Sequence, residues 1–177
     1  GVLLSAETAI GAHPVRAVEM MARIVRETAR DHFAAKAPQY ETDTHDAPFA
    51  DTTARVACLA AAQTGAKAIV CFTESGRTAR LVAKYRPEMP IIAFCSSEEV
   101  RRRLTVVWGV RSTVLTVVDD VEGMVESVEQ RLTHRGLLEN GDRLCIVFGA
   151  PVGEMGHTNS VRLHEIGRTG RTGDLPV

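Results

Sequence analysis

A strand–loop–helix–strand pattern fills residues 68–97, which read AIVCFTESGRTARLVAKYRPEMPIIAFCSS. After a short apolar run and a polar, glycine-containing loop, Ala79, Val82 and Ala83 recur at the spacing of one helix face. Two prolines end that helix, because proline cannot continue its hydrogen-bond ladder, and a second apolar run begins at Pro90. Two buried strands joined by a helix form a βαβ unit, so the pattern predicts a parallel sheet covered by helices.

The loop of this unit, residues 73–78, lies at the carboxyl end of a strand and the amino end of a helix. Free backbone N–H groups and the helix dipole attract anions at such a position. The loop contains hydroxyl groups, a guanidinium and a glycine that lets a ligand approach the backbone. These features predict a phosphate site; the alternative is that Thr73 and Ser75 only cap the helix. The candidate phosphate-binding residues are Thr73, Glu74, Ser75, Gly76, Arg77 and Thr78.

The composition limits the classes of function. A length of 177 residues suffices for one full domain with a small appendage. With 45% hydrophobic residues, 24% charged residues and a net charge of -1, the chain is typical of a soluble globular protein and shows no broad surface for nucleic acid or membrane. No apolar run approaches the roughly 20 residues that span a bilayer, and the amino terminus lacks a signal-like pattern. We therefore expect a cytoplasmic protein without nucleic-acid or membrane partners.

The cysteines and histidines do not form a metal-binding pattern. The four cysteines lie within apolar segments and form no C-x-x-C pair, which predicts reduced core residues. The six histidines are scattered, mostly in polar segments, whereas a zinc site needs closely spaced ligands. We therefore predict no metal site in this chain. The four cysteines are Cys58, Cys71, Cys95 and Cys145.

The sequence of the amino-terminal third predicts a short strand and helix, followed by a linker. A short apolar strand and a polar turn precede a helix that His13 and Pro14 open, since proline suits the first helical position. Residues 1–31 therefore form one strand and one helix, and residues 32–51, which lose periodicity, form a linker. The next helix is predicted from Thr52 or Thr53. Its predicted inward residues are Val56, Leu59 and Ala60, and those of the first helix are Val18, Met21, Ala22, Val25 and Ala29.

The rest of the chain continues the alternation of helices and strands. A helix capped at Ser97 carries three consecutive arginines, which predict a solvated face; a phosphate clamp is the alternative. A third strand at 113–118, a helix with a clear apolar stripe and a fourth strand at 142–148 follow. Residues 160–166 predict an antiparallel edge strand. The predicted fold class is α/β: a three-layer α/β/α sandwich of about five mostly parallel strands over residues 52–167, with a tail at 168–177.

Several segments resemble pyruvate kinase. Residues 1–18, GVLLSAETAIGAHPVRAV, resemble the segment D-x-V-M-L-S-G-E-T-A-x-G-x-Y-P-V-E-A-V that closes its (β/α)8 barrel, with Ala6 in place of glycine and His13 in place of tyrosine. Residues 73–93 resemble T-x-S-G-R-T-A-R-x-V-A-K-Y-R-P-x-x-P-I-I-A, and the glycine-rich loop at 149–159 resembles G-x-P-V-G-x-x-G-x-T-N. The segment around Trp108 resembles L-x-W-G-V, and we expect this ring to lie in the core or an interface.

The resemblance implies a remnant of the catalytic barrel followed by the carboxyl-terminal α/β domain. The parent family transfers a phosphoryl group from phosphoenolpyruvate to ADP in glycolysis with Mg²⁺ and K⁺, and it forms homotetramers through this domain. Its metal-binding acids and catalytic lysine lie on earlier barrel strands, so no cofactor and no kinase activity are expected of these 177 residues alone. Ser5, Glu7 and Thr8 match positions at the rim of the active site.

The resemblance also gives the phosphate loop a regulatory meaning. Residues 73–78 match the loop that holds a phosphate of an allosteric effector, a sugar phosphate or AMP, in regulated members. The alternative is a purely structural oligomerisation domain that binds no ligand. The candidate residues of the adjacent loop are Gly149, Pro151, Gly153, Gly156 and Thr158.

Overall fold

The structure is a computed structural model that describes residues 2–35, 49–115, 120–150 and 157–167. The chain divides into two compact units, Gly1–Glu41 and Thr42–Val177. The first unit contains helices α1 (Ala6–Ala9) and α2 (Pro14–Ala35). Helix α2 begins at the predicted proline and runs beyond the predicted end of the first segment, while the next helix begins before Thr52. Both helices therefore extend into the predicted linker, whose residues 36–48 lie outside the described residues.

The strand predicted near the amino terminus is not present in the structure. Residues 2–5 have no regular structure, and α1 starts directly after Ser5. A parallel strand needs a hydrogen-bonded neighbour, and the described residues of this unit offer none. The predicted burial on α2 is also wrong for two residues: Val18 is 52% exposed and Val25 is 43% exposed. The two helices described in this unit provide no second layer that could cover these side chains.

The second unit contains four helices and five strands in its described part. The five strands form one sheet in the order β3-β2-β1-β4-β5. Strand β1 is parallel to β2 and β4, β2 is parallel to β3, and β5 is antiparallel to β4 at the sheet edge. The predicted mostly parallel sheet with a final antiparallel edge strand is thus confirmed. The elements are α3 (Phe49–Thr64), β1 (Ala68–Thr73), α4 (Arg77–Lys84), β2 (Ile91–Cys95), α5 (Glu98–Leu104), β3 (Val110–Val114), α6 (Val121–His134), β4 (Arg143–Phe148) and β5 (Ser160–Glu165).

Helices cover both faces of this sheet, which confirms the three-layer sandwich. Alternate residues of β1 point to opposite faces, as strand geometry requires. Val70 belongs to the core cluster that includes Met124 and Val128 of α6. On the opposite face, the Cys145 thiol donates to the Ala57 carbonyl of α3 at 3.4 Å. Among the helices that the structure describes, α3, α4 and α5 pack on this second face, and α6 packs on the first.

The buried face of α3 differs from the prediction. Val56 is 47% exposed and Leu59 is 37% exposed, while alanines and one cysteine face the sheet and α4. Small side chains let the helix approach its neighbours closely, and the larger apolar residues then lie outside the contact. The prediction weighted side-chain hydrophobicity and therefore selected the wrong face. The buried residues of α3 are Ala50, Ala54, Ala57, Cys58 and Ala61.

The third strand begins earlier than predicted. Gly109 adopts a left-handed conformation, with φ of 72°, and β3 starts at the next residue in register with Ile91 of β2. Residues 116–118 of the predicted strand lie outside the described residues. Trp108 is 39% exposed, so it is not a core residue of this unit. Its ring centroid lies 4.6 Å from the guanidinium carbon of Arg86, a cation–π geometry.

The predicted faces of α5 and α6 are confirmed. Val100 and Leu104 of α5 are buried, and the Ser97 hydroxyl accepts a hydrogen bond from the Val100 N–H. The arginines of α5 lie on its exposed side and pair with acids of the same helix, as between Arg103 and Glu99 at 2.6 Å. They therefore form the solvated face that the spacing predicts. The buried residues of α6 are Met124, Val125, Val128 and Leu132.

The four cysteines are free thiols buried in the core of the second unit. None is more than 2% exposed, and burial raises the pKa of the Cys58 and Cys145 thiols to about 12. Because thiolates are the reactive species, we expect a disulfide reagent at mildly alkaline pH to label no cysteine in the folded protein. All four should react after unfolding in guanidinium. Native labelling at the rate of a free thiol would contradict this packing.

Asp51 joins α3 to the end of α4. Its carboxylate accepts from the Lys84 ammonium at 2.9 Å and from the Tyr85 hydroxyl at 2.8 Å. Partial burial of Asp51 opposes ionisation, but these two hydrogen bonds outweigh it and lower the pKa of Asp51 below its ordinary value of 3.8. The carboxylate therefore stabilises the fold above the unfolded-state pKa, and this stability is lost as pH falls through the lowered folded-state pKa.

Asp51→Asn should lower the free energy of unfolding by about 1 kcal/mol at neutral pH. The loss is this small because the ion pair with the exposed Lys84 adds little stability to that of the Tyr85 hydrogen bond. Urea denaturation of wild type and variant at pH about 7 and about 2.5 measures the difference, which should shrink at the lower pH. Lys84→Ala is the control, with a smaller effect. A difference that stays constant with pH would show that the carboxylate charge plays no part.

Candidate functional site

The loop at residues 73–78 lies at the point where the sheet changes its winding direction. From β1 the chain continues through β2 to β3 on one side, and it then returns to β4 on the other side of β1. Helices α4 and α5 cover one face, and α6, which precedes β4, covers the opposite face. In open α/β sheets the crevice outside the carboxyl ends of the strands at such a point is the usual ligand site.

Thr73 and Gly76 fix the shape of this loop. The Thr73 hydroxyl oxygen accepts from the Gly76 N–H at 3.0 Å. Gly76 has φ of 83°, and a Cβ there would lie 3.2 Å from a methyl carbon of Leu104. Only glycine adopts this conformation without strain and also fits against α5. The loop geometry therefore depends on both residues.

The first turn of α4 has no capping side chain at its N-cap position. Gly76 is the N-cap residue and carries no side-chain oxygen. Thr73 bonds the N–H of this N-cap residue itself, so its hydroxyl shapes the loop and does not cap the first turn. The backbone N–H groups at the start of a helix have no intrahelical partners. An anion at this position would therefore find donors together with the positive end of the helix dipole.

The six predicted residues divide into those that build the loop and those that a ligand can reach. Thr73, Gly76 and Thr78 are buried, whereas Ser75 and Arg77 are exposed. Glu74 is half-buried, and its carboxylate would repel a phosphate, so only its backbone fits the predicted role. A hydroxyl and a guanidinium thus remain as side chains that can contact a bound anion.

The glycine-rich loop that follows β4 is joined to this site through Thr158. The hydroxyl oxygens of Thr78 and Thr158 lie 2.8 Å apart, and both residues are only 6% exposed. The structure therefore brings Thr158 to the phosphate loop across 80 residues of sequence. Pro151, Gly153 and Gly156, which were predicted to lie near the effector, are outside the described residues.

Asn159 and Gly149 close the base of the glycine-rich loop. The Asn159 amide accepts from the Ala150 N–H at 2.8 Å and donates to the Ala150 carbonyl at 2.7 Å. A Cβ at Gly149 would lie 1.8 Å from the His157 carbonyl oxygen, so only glycine permits this approach. Asn159 lies at the end of the predicted loop at 149–159 but was not named as a candidate residue. The sequence signal for it was the final asparagine of the G-x-P-V-G-x-x-G-x-T-N pattern.

Comparison with known proteins identifies the family. A family model described as "Pyruvate kinase, alpha/beta domain" matches residues 51–164. The chain belongs to the pyruvate kinase family. The match covers most of α3 and nearly the whole sheet, including both loops of the candidate site. The resemblance seen in the sequence is thus confirmed.

Individual pyruvate kinases match a longer part of the chain. A pyruvate kinase of Agrobacterium vitis is 39% identical over 94% of this chain and 35% of its own length. One of Geobacillus stearothermophilus is 38% identical over 93% of this chain and 28% of its own length. Among solved structures, Cryptosporidium parvum pyruvate kinase in complex with ADP superposes with a TM-score of 0.72 at 30% identity, over 92% of this chain and 33% of that chain. The chain spans about a third of the length of these pyruvate kinases.

The residues predicted at the rim of the pyruvate kinase active site lie in one turn of the first unit. The Thr8 hydroxyl donates to the Ser5 carbonyl at 3.0 Å, and Glu7 is exposed. A Cβ at Gly11 would lie 2.5 Å from the Glu7 carbonyl oxygen, which explains the glycine at the end of this turn. The structure thus brings Ser5, Glu7 and Thr8 together in one turn, while most of the barrel they would border is not matched by this chain.

The Mg²⁺ and K⁺ of the pyruvate kinase family cannot be assigned to residues of this structure. Across residues 2–35, 49–115, 120–150 and 157–167, no three His, Cys, Asp or Glu side chains are grouped as a metal site requires. Within the same part of the chain, every helix is either too short or too polar to cross a membrane.

Proposed function

We propose that this chain is the carboxyl-terminal part of a pyruvate kinase and that its α/β unit binds a phosphorylated effector at residues 73–78. The parent reaction transfers a phosphoryl group from phosphoenolpyruvate to ADP, a reaction that rests on positioning and metal electrostatics. The effector would bind one conformation of a cytoplasmic enzyme more tightly than another. Its binding to this unit would thereby shift the rest of the enzyme toward the favoured conformation. The proposal rests on the family match and on the geometry of the phosphate loop.

The observation that carries the effector site is the α4 amino terminus with a glycine at its N-cap. Because Thr73 bonds the Gly76 N–H, the loop is held in shape before any ligand arrives. Ser75 precedes the N-cap residue and Arg77 is the first residue of α4, and both are exposed beside the N–H groups of the first helical turn. Backbone donors, one hydroxyl and one guanidinium are the groups that phosphate sites commonly combine.

Calorimetry with sugar phosphates and AMP tests this proposal. Ser75→Ala/Arg77→Ala should weaken phosphate binding by about tenfold or more, since it removes one hydroxyl and one charge-assisted donor without touching the buried loop framework. Arg80→Ala, on the exposed side of α4, is the matched control and should bind as wild type does. If no phosphorylated compound binds the wild-type chain, the effector proposal fails.

The 177-residue chain by itself should not catalyse the kinase reaction. Its resemblance to the catalytic barrel is confined to residues 1–18, whereas a (β/α)8 active site takes residues from several strand ends. We therefore expect no pyruvate formation in a coupled assay with phosphoenolpyruvate, ADP, Mg²⁺ and K⁺. Turnover that follows the purified chain through successive columns would refute this expectation.

Self-association through β5 is the second function that we propose. Strand β5 lies at the edge of the sheet, where unpaired backbone groups can pair with another copy. Leu163 of β5 is 52% exposed, and Val56 and Leu59 of the neighbouring α3 are also exposed. Apolar side chains of this size on adjacent elements favour a buried interface.

Sedimentation of the purified chain tests the assembly role independently of any ligand. Leu163→Lys should shift the chain toward monomer, because a charge would enter an apolar contact. Val106→Lys, at a position that is 89% exposed, is the control and should leave the assembly unchanged. A wild-type chain that remains monomeric at high concentration would eliminate this role.

A further inference from the structure

A cavity of about 360 Å³ lies on the α6 face of the sheet, over β2 and β3. It is distinct from the phosphate loop, because that loop leads into α4 on the opposite face. Pockets of this size accommodate small organic ligands. The cavity is lined by Lys67, Ala68, Pro90, Ile92, Phe94, Arg111, Ser112, Thr113, Arg131, Leu132, Arg135, Leu137 and Leu138.

The position of α6 explains why this cavity exists. A helix about 10 Å wide covers roughly two strands spaced by about 4.8 Å, so one helix cannot cover five strands. Two polar contacts hold α6 on the β5 side: Arg162 forms an ion pair with Glu122 at 2.7 Å, and the His164 ring nitrogen lies 2.9 Å from the Glu129 carboxylate. Among the residues that the structure describes, the α6 faces of β2 and β3 therefore remain partly uncovered.

The floor of the cavity is apolar. Ile92 and Phe94 come from β2, and Leu132 comes from α6. Phe94 is packed in the core cluster, and its ring stacks on Phe72 with a centroid distance of 5.6 Å. A floor fixed by core packing keeps its shape without a ligand, which reduces the entropic cost of binding.

The rim of the cavity is cationic. Lys67, Arg111, Arg131 and Arg135 line it, and no Asp or Glu is among the lining residues. The Arg131 guanidinium donates to the Val114 carbonyl at 3.1 Å, which fixes its position. Within the described residues, the guanidinium groups of Arg111 and Arg135 form no ion pair. Lys67 lies 4.0 Å from the Asp142 carboxylate, so the uncompensated charges are those of Arg111 and Arg135. Two such charges beside an apolar surface favour an anion that brings its own apolar body.

We propose that this cavity binds a small amphipathic anion: a carboxylate or phosphate group attached to an apolar ring or short chain. The apolar body lies on Ile92 and Phe94, and the anionic group pairs with Arg111 and Arg135. Inorganic phosphate alone would leave the floor unused, and a neutral apolar compound would leave the arginines unpaired. Both parts of the ligand are therefore needed for affinity.

NMR titration of the ¹⁵N-labelled wild-type chain with 2-naphthoate tests the proposal. We expect saturable shifts of amides at 92–94, 111–113 and 131–138. The neutral 2-naphthylmethanol should bind about tenfold more weakly, and inorganic phosphate should not move these amides. Equal affinity of acid and alcohol, no binding at all, or shifts confined to the exposed apolar face of α2 or to residues 73–78 would overturn the proposal.

Arg111→Ala/Arg135→Ala is the variant that tests the cationic rim. It should weaken 2-naphthoate binding by about tenfold while leaving 2-naphthylmethanol binding unchanged, since only the anionic group loses its partners. Arg102→Ala/Arg103→Ala on α5 changes the net charge equally outside the cavity and should bind as wild type. A control that weakens binding as much would mean that overall charge, and not this cavity, attracts the anion.

Discussion

Gly149→Ala is expected to lower the free energy of unfolding of the α/β unit by about 3 kcal/mol. The added Cβ, whose position is fixed by the backbone of residue 149, would lie 1.8 Å from the His157 carbonyl oxygen, which is a backbone atom. No rotamer change can relieve the overlap. The two chain segments must separate by roughly 1.5 Å before an ordinary carbon–oxygen contact returns.

That separation would break the hydrogen bonds that close the glycine-rich loop. Both bonds between Asn159 and Ala150 and the bond between Thr78 and Thr158 have lengths of 2.7 to 2.8 Å, so none survives such a shift. Each contributes about 1 kcal/mol, which accounts for the expected loss. Urea denaturation monitored by circular dichroism measures it.

Gly65→Ala provides the control for a simple glycine effect. Gly65 has φ of 65° but nothing within 4 Å of an added Cβ, so only left-handed strain of about 1 kcal/mol is expected. A Gly149→Ala loss no greater than that of Gly65→Ala would show that the loop adapts without breaking its hydrogen bonds.

Local patterns were sufficient to predict most of the sheet unit. The βαβ segment, the cap at Ser97 and the stripe of α6 depend on residues within one or two helical turns, and all three are confirmed. The prediction of an amino-terminal strand was wrong because a strand is stable only when neighbouring strands accept and donate its backbone hydrogen bonds. The prediction of the buried face of α3 was wrong because Ala57 and Cys58 pack closely against elements that are distant in sequence.

In the candidate site, too, the sequence predicted local features correctly but not the contacts between distant residues. The sequence correctly placed residues 73–78 at the junction of a strand and a helix, where Thr73 ends β1 and Arg77 and Thr78 begin α4. It could not distinguish the buried Thr73, which shapes the loop, from the exposed Ser75, since both are hydroxyl residues on one loop. It also could not pair Asn159 with Ala150, because that contact depends on how β4 and β5 meet.

Thr78→Val should lower the free energy of unfolding by about 2 kcal/mol, and Thr158→Val should do the same. Each substitution keeps the side-chain shape but leaves the other buried hydroxyl without its partner. The double variant should lose only about 1 kcal/mol, because two apolar groups in contact leave nothing unsatisfied. Urea denaturation of the four proteins completes this cycle and gives a coupling energy of about 3 kcal/mol.

Thr105→Val tests whether the effect requires burial. The Thr105 hydroxyl donates to the Arg102 carbonyl at 2.6 Å in an exposed position, where water can replace it, so a loss below about 0.5 kcal/mol is expected. Additive losses in the cycle would mean that water reaches Thr78 and Thr158 and replaces their bond. A large coupling energy would instead establish that this pair joins the glycine-rich loop to the phosphate loop, and phosphate affinity should then fall in both single variants.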